Sequence, residues 1–355
     1  REFPPQQRGL ALGLWSVAAA ASISFGPLIG GYLVDDYSWH LIFDVNVPVG
    51  LAAILFAIFI QKEWRGARAG SFDWPGFLCV VCFMPLLIFA LARGNSPLNP
   101  EGWSSPEVIG CFAVAAAALI VFIVRELRCE NPLLNLKLLG ERNFGVSMAV
   151  LAIFGIGMLG GTYLLPLYMQ KGLGYTAIMA GSVFLPVGLI QGVLSTCSGF
   201  LTRYIKPLFI AVTGILVMTL SFYFASRFTL HTTHAQIMLV LYLRGFGMGL
   251  TFAPLNDFSL MNLSQRDMAS AAGISNSIKQ LSGSVSIALL TVILTGRTAF
   301  HSAQGGLSSA ESYVAGISDD FLFVTFVSLA SALPFLWLLR PRRKAASFKS
   351  EGTGT

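Results

Sequence analysis

Charge is what this sequence has least of. Only 11% of its 355 residues are Asp, Glu, Lys or Arg, against about a quarter in an ordinary soluble domain. That scarcity, with a hydrophobic share of 55% and a mean hydropathy of +0.71, excludes the soluble globular class and leaves a polytopic membrane protein. Cysteine is scarce as well. There are five, an odd number, and Cys79, Cys82, Cys111 and Cys197 sit in apolar runs, so no disulfide framework is expected. Cys79-Val-Val-Cys82 has the spacing of a redox pair, but no strand pattern lies beside it and two small apolar residues of a membrane helix are the expectation. His231 and His234 stand three apart in a loop without a neighbouring Cys, Asp or Glu, too few donors for a metal. The net charge of +6 comes from basic residues strewn between apolar runs rather than gathered on one face, which excludes nucleic acid. No cofactor is expected. The first residue is Arg, and no cleavable signal pattern precedes the first apolar run; the expectation is a chain cut from a longer one.

Crossing ~30 Å of hydrocarbon takes about 20 apolar residues. Ten segments qualify, near 10–33, 41–60, 75–92, 107–124, 144–169, 176–201, 207–225, 235–263, 268–296 and 320–339. An even number puts both ends on one side. Lys62, Arg65, Arg68, Arg125, Arg128, Lys137, Arg142, Arg203, Lys206, Arg266 and the basic run from Arg340 to Lys344 share that side, whereas Arg93, Lys171, Arg227 and Arg297 fall on the other. By the positive-inside rule both termini are cytoplasmic.

The stretch from Arg8 to Gly50 organises the rest. Ala18, Ser22, Gly26 and Gly30 recur every fourth residue, which strips one helix face of bulk and lets another backbone approach. Pro27 adds a bend. The turn Asp35-Asp36-Tyr37-Ser38 reads as solvated. Gly155, Gly157 and Gly160 spell a dinucleotide fingerprint, but they lie in an apolar run with no strand before them, so helix packing is expected instead. Arg244, Asp257 and Lys279 are charges within apolar spans. Each costs roughly 2.5–3.5 kcal/mol at a helix centre, so all three should face a bundle interior or a wet cavity. Arg244 and Asp257 are too far apart along one helix to meet, and Lys279 is the expected partner of Asp257.

Gly26-Pro27-Leu28-Ile29-Gly30-Gly31, followed by Trp39, Ile42-Phe43 and Asn46-Val47-Pro48-Val49-Gly50, resembles the antiporter motif of the fourteen-helix drug:proton antiporters, the EmrB/QacA family of the major facilitator superfamily. The likeness continues through Phe72-Asp73-Trp74-Pro75-Gly76, Arg142-Asn143-Phe144, Leu165 to Gln170, Gly174-Tyr175-Thr176, Arg244 to Gly249 and Asn276 to Gly283. It implies an all-α membrane bundle in which residues 1–61 are the last two helices of the N-terminal bundle, 62–143 two linker helices, 144–343 a six-helix C-terminal bundle, and 344–355 a cytoplasmic tail. The small-residue face of the first span is then expected to meet span six near Gly181 to Gly188.

The resemblance implies a permease, not an enzyme, that exports hydrophobic, cationic or amphiphilic compounds in exchange for protons, in Gram-negative relatives with a periplasmic adaptor and an outer-membrane channel. Asp44 departs from the family pattern: partial burial would suit it to carrying a proton, and its shallow depth equally suits a hydrated interfacial carboxylate. Asp257, read as the deeper of the two, is expected to matter more. Gly199 to Lys206 keeps the family's basic loop residues without their acidic partner. A non-transporting remnant and a membrane-embedded enzyme are the alternatives, the second lacking convergent catalytic groups.

Overall fold

The computed structural model describes residues 22, 25–60, 73–94, 96, 99–129, 132–264 and 267–338. Most of the first expected span, the basic runs at 62–68 and 340–344, Phe72, Arg266 and the tail 344–355 lie outside the described residues. What is described is helical: α1 (residues 25–36), α2 (Leu41–Asp44), α3 (Asn46–Ile60), α4 (Trp74–Gly94), α5 (Pro106–Arg128), α6 (Arg142–Leu167), α7 (Ala177–Ser182), α8 (Leu185–Leu201), α9 (Pro207–Ala225), α10 (His234–Leu260), α11 (Met268–Ala303), α12 (Ser309–Ala330) and α13 (Leu333–Leu338). Among the described residues, nine stretches are long and apolar enough to cross a membrane. Each satisfies its backbone polar groups internally, which lipid requires.

Short polar signals set the helix ends. Glu141 accepts from the Phe144 amide at 2.6 Å, Thr176 caps α7 through the Met179 amide, and α10 and α12 open with capping boxes, Thr233 with Gln236 and Ser308 with Glu311. The last of these corrects the sequence reading. The final span runs Ser309–Phe335, beginning well before the expected 320, because Glu311, Ser312, Asp319 and Asp320 dilute the hydropathy of a helix that is nonetheless continuous. Pro166 removes a backbone donor near the end of α6, and the helix widens there into a π turn, Tyr168–Gly172.

α6 to α12 pack as one bundle. α10 lies between α9 and α8, and α11 between α6 and α12. Small residues set these distances: a Cβ at Gly245 would stand 2.9 Å from the Val187 carbonyl of α8, and one at Gly247 would stand 2.9 Å from the Gly214 carbonyl of α9. Buried serines tie the helices across the same seams, Ser221 to the Val240 carbonyl at 2.8 Å, Ser198 to that of Gly249 at 2.9 Å and Ser286 to that of Ile156 at 2.7 Å. The fingerprint glycines do the packing expected of them, Gly155 against Ser282 and Gly160 against Ser286 and Leu290. Large apolar side chains such as Phe43, Phe59, Phe209 and Phe326 point outward, as a lipid-facing surface demands.

α4 and α5 form a hairpin beside this bundle. Arg93 pairs with Glu107 at 3.3 Å near one end, and Arg125 pairs with Asp73 at 2.7 Å near the other. The loop before α6 is tied to the α10–α11 turn by Asn135 to Asp267 and by Asn262 to Glu141.

Candidate functional site

Two places concentrate the polar and small residues singled out above. The first is where α1 crosses the start of the sixth expected span. A Cβ on Gly31 would overlap the Ala177 carbonyl, and one on Gly181 would overlap the Pro27 carbonyl. The two backbones touch because neither residue has a side chain. Asp35 finishes the contact by accepting from the Ala177 amide at 3.2 Å and the Ile178 amide at 2.7 Å. Asp35 therefore belongs to an interhelix contact rather than to a solvated turn. The meeting of the motif helix with this region was expected, but the residue that meets it is Gly31: a Cβ on Gly26 or Gly30 would touch nothing within 4 Å.

The remaining motif residues shape the return of the chain. Trp39 stacks on His40 with ring centroids 3.8 Å apart. Asn46 donates to the Ile42 carbonyl at 2.8 Å, joining α2 to α3, and Pro48 lies in the first turn of α3, where its missing N–H leaves no bond unmade. Asp44 is exposed at the end of α2.

The second place is a cleft of about 370 Å³ between α6 and α11, lined by Leu159, Thr162, Tyr163, Gln280, Gly283, Ser284 and Ile287. It is an open groove whose walls are mostly apolar, with a few neutral polar groups among them. Tyr163 is held by the Thr291 hydroxyl at 3.1 Å. Thr162 accepts from Arg244, which also donates to the Met158 carbonyl at 2.9 Å. Arg244 is 2% exposed, and its Nε and Nη1 have no partner. Its interior placement follows the cost of charge in an apolar span.

The expected Asp257–Lys279 pair does not form. Lys279 lies over the Phe252 ring, 5.5 Å from its centroid, and Asp257 is exposed in the last turn of α10, accepting from Thr202 at 3.3 Å. Asp257 is thus not the deep carboxylate the sequence suggested. Sequence reasoning gave no role to three buried acids. Asp73 accepts from Arg125 and from the Gly76 amide at 3.1 Å. Glu126, fully buried, accepts from the Leu134 amide at 3.0 Å. Asp320, also fully buried, was hidden by placing the final span too late. For Asp73, burial alone would raise the pKa, but the Arg125 hydrogen bond, the Gly76 amide and the Arg125 charge outweigh it and hold the carboxyl below the usual range.

A bundle of lipid-length helices with outward apolar faces and backbone-close crossings defines a polytopic all-helical membrane protein. The Major Facilitator Superfamily profile matches residues 1–287, and the chain belongs to that superfamily, a family of transporters. It is 31% identical over 303 residues to the uncharacterized MFS-type transporter YhcA of Bacillus subtilis (strain 168), covering 85% of this chain and 56% of the relative. It is 31% identical over 305 residues to the multidrug export protein EmrB of Escherichia coli (strain K12), covering 85% and 59%. It is 26% identical over 376 residues to the fatty acid resistance protein FarB of Neisseria gonorrhoeae, covering 96% and 73%. The chain spans less than two thirds of the length of YhcA and EmrB.

Proposed function

We propose that this chain is the larger part of a proton-coupled efflux permease that moves hydrophobic or amphiphilic small molecules out across the cytoplasmic membrane, both of its ends facing the cytoplasm. In this reading residues 1–61 belong to one bundle, 62–143 to a linker pair and 144–343 to a second bundle, with the α6–α11 cleft as the second bundle's share of the substrate cavity. Export proceeds by alternating access, the two bundles rocking about that cavity. The observation that carries the reading is the Gly31–Ala177 and Pro27–Gly181 backbone crossing, sealed by Asp35. It is a contact between bundles that can part as a unit, at the end of the helices opposite the basic loops. Arg244 and Lys279 set the charge around the cavity, and Asp44 and Asp257 remain lesser candidates for proton exchange at its rims. The export names carried by relatives such as EmrB support a drug-like substrate, and a periplasmic adaptor with an outer-membrane channel is the partnership the motif likeness suggests.

The test is dye efflux from cells expressing the natural protein that contains this chain. Preloaded hydrophobic dye should leave faster than from cells without it, and a protonophore should abolish the difference. Export that persists after the proton gradient is collapsed would defeat the coupling, and no export of any amphiphile tried would defeat the reading.

A further inference from the structure

The last long helix carries two neighbouring carboxylates in opposite surroundings. Asp319 accepts from Arg297 Nε at 2.6 Å and shares a 2.8 Å hydrogen bond with His301 Nε2, at 28% exposure. Asp320, a hundred degrees further round α12, is wholly buried, and neither of its carboxyl oxygens has a hydrogen-bond partner.

Its neighbours follow from the helix repeat. Ser312, Gly316, Asp320 and Val324 form one stripe. Gly316 lies against Thr298 and Leu294 of α11, while Val324 lies against Gly157 and Gly160 of α6, so Asp320, between them, sits at the α6–α11–α12 junction. Ser312 Oγ and Thr298 Oγ1 are likewise buried without a partner. Elsewhere in the bundle Ser198, Ser221 and Ser286 each bond a carbonyl across a helix seam. The junction therefore holds three polar side chains that the resting fold leaves unused.

The charged and titratable groups around it are few. α11 brings Arg297 and His301, both engaged by Asp319. α6 brings Tyr163, bonded to Thr291. The π turn brings Tyr168, bonded to the Thr229 carbonyl, and Lys171, which is exposed. α9 offers only Tyr223, itself exposed, and α12 adds Tyr313. With no cation on Asp320, an anion there would be uncompensated in a dry place, so the group rests as the neutral acid. α11 is ~54 Å long by its residue count, longer than the ~30 Å hydrocarbon layer, which brings its Arg297–His301 end toward water.

We propose that Asp320 is a proton-binding site of the second bundle, loaded through the Arg297–His301–Asp319 cluster at one end and unloaded toward the opposite end as α11 and α12 shift against each other. Loading breaks an imidazole N–H bond of the cluster as the Asp320 O–H bond forms, and the imidazole regains its proton from water at that end. Release breaks that O–H bond, the proton going to water at the opposite end of the bundle and the carboxylate remaining while the junction is open there. The assignment rests on the proton-driven reading given above.

The experiment uses the natural full-length protein in proteoliposomes, with a hydrophobic dye as substrate. Dye movement under an imposed pH gradient is compared with dye exchange in the absence of a gradient. Asp320→Asn should lower gradient-driven movement at least about tenfold and leave exchange intact. If exchange falls too, Asp320→Glu decides: recovered gradient-driven movement supports the site and its absence overturns it. Asp320→Asn driven as well as the parent would overturn the site and leave the coupling standing, whereas a parent that ignores the gradient removes the coupling and the site together. Infrared spectra give a reading free of transport. A protonated-carboxyl band in the parent should vanish in Asp320→Asn, and a parent spectrum unchanged by that substitution overturns the proposal.

Discussion

A Cβ at position 31 has nowhere to go, and one at position 30 has open space. Gly31→Leu should therefore force α1 away from the 177–181 segment, cutting gradient-driven export severely while the protein still accumulates in the membrane, and Gly30→Leu should leave export within about twofold of the parent. Efflux rates normalised to membrane-inserted protein measure both, and equal loss in the two variants would show that the crossing is not where function is sensitive. The four-residue recurrence of small side chains made a stripped face legible in the sequence. It could not say which of two adjacent glycines the partner backbone touches, because neighbouring helix positions differ by a hundred degrees and only the crossing angle decides between them. Arg244 was legible for a different reason: an apolar span has few places to put a guanidinium, and the interior was the cheapest. The Asp257–Lys279 pairing failed because it was argued from depth alone, and depth does not tell which way two side chains face.

At the scale of helices, the α4–α5 hairpin is the element whose joint can be tested by pH. Asp73 stands just before α4, and its bond to Arg125 closes the open end of the hairpin. Removing the charge with Asp73→Asn should cost about 1.5 kcal/mol, the lower end for a hydrogen bond to a charged group, because Arg125 is 38% exposed and partly screened. The folded protein holds the Asp73 carboxyl below its ordinary pKa, so its contribution is complete above the ordinary carboxylate value of about 3.9 and is lost as the pH falls from there through the lower folded value. Thermal unfolding in detergent should show a constant gap between parent and variant from about pH 7 to 5, narrowing below about pH 4. A gap that widens on acidification would contradict the assignment. Helix existence was easy to read here, since runs of about 20 apolar residues have few alternatives. Helix ends were harder. The Ser308-x-x-Glu311 capping box was present in the sequence, yet the acids that follow it lowered the hydropathy enough to delay the expected start of the last span to 320, which left Asp320 at the span's edge, and the most buried carboxylate of the bundle went unread.

For the molecule as a whole, the connections and the charge pattern make one prediction together. α6 with its π turn, α7 with α8, and then α9, α10, α11 and α12 follow one another through short turns, so successive spans run antiparallel and the two ends of the bundle alternate along the chain. Cys129, just after α5, lies at the end shared by the start of α6 and the end of α8; Ser309, opening α12, lies at the end shared by the close of α6 and the start of α10. The basic residues Arg125, Arg128, Lys137, Arg142, Arg203 and Lys206 cluster at the Cys129 end, and Arg93, Lys171, Arg227 and Arg297 are the sparser basic residues at the Ser309 end. Retention of positive loops in the cytoplasm then places Cys129 inside and Ser309 outside. With Cys79, Cys82, Cys111 and Cys197 replaced by alanine, an impermeant thiol reagent applied to intact cells should leave Cys129 unlabelled until the membrane is opened. A Ser309→Cys variant should react without opening it. If Cys129 reacts in intact cells and the Ser309→Cys position does not, the protein sits the other way up, the Asp35 crossing faces the cytoplasm, and the cluster above Asp320 would exchange its proton with the cytoplasm rather than with the outside.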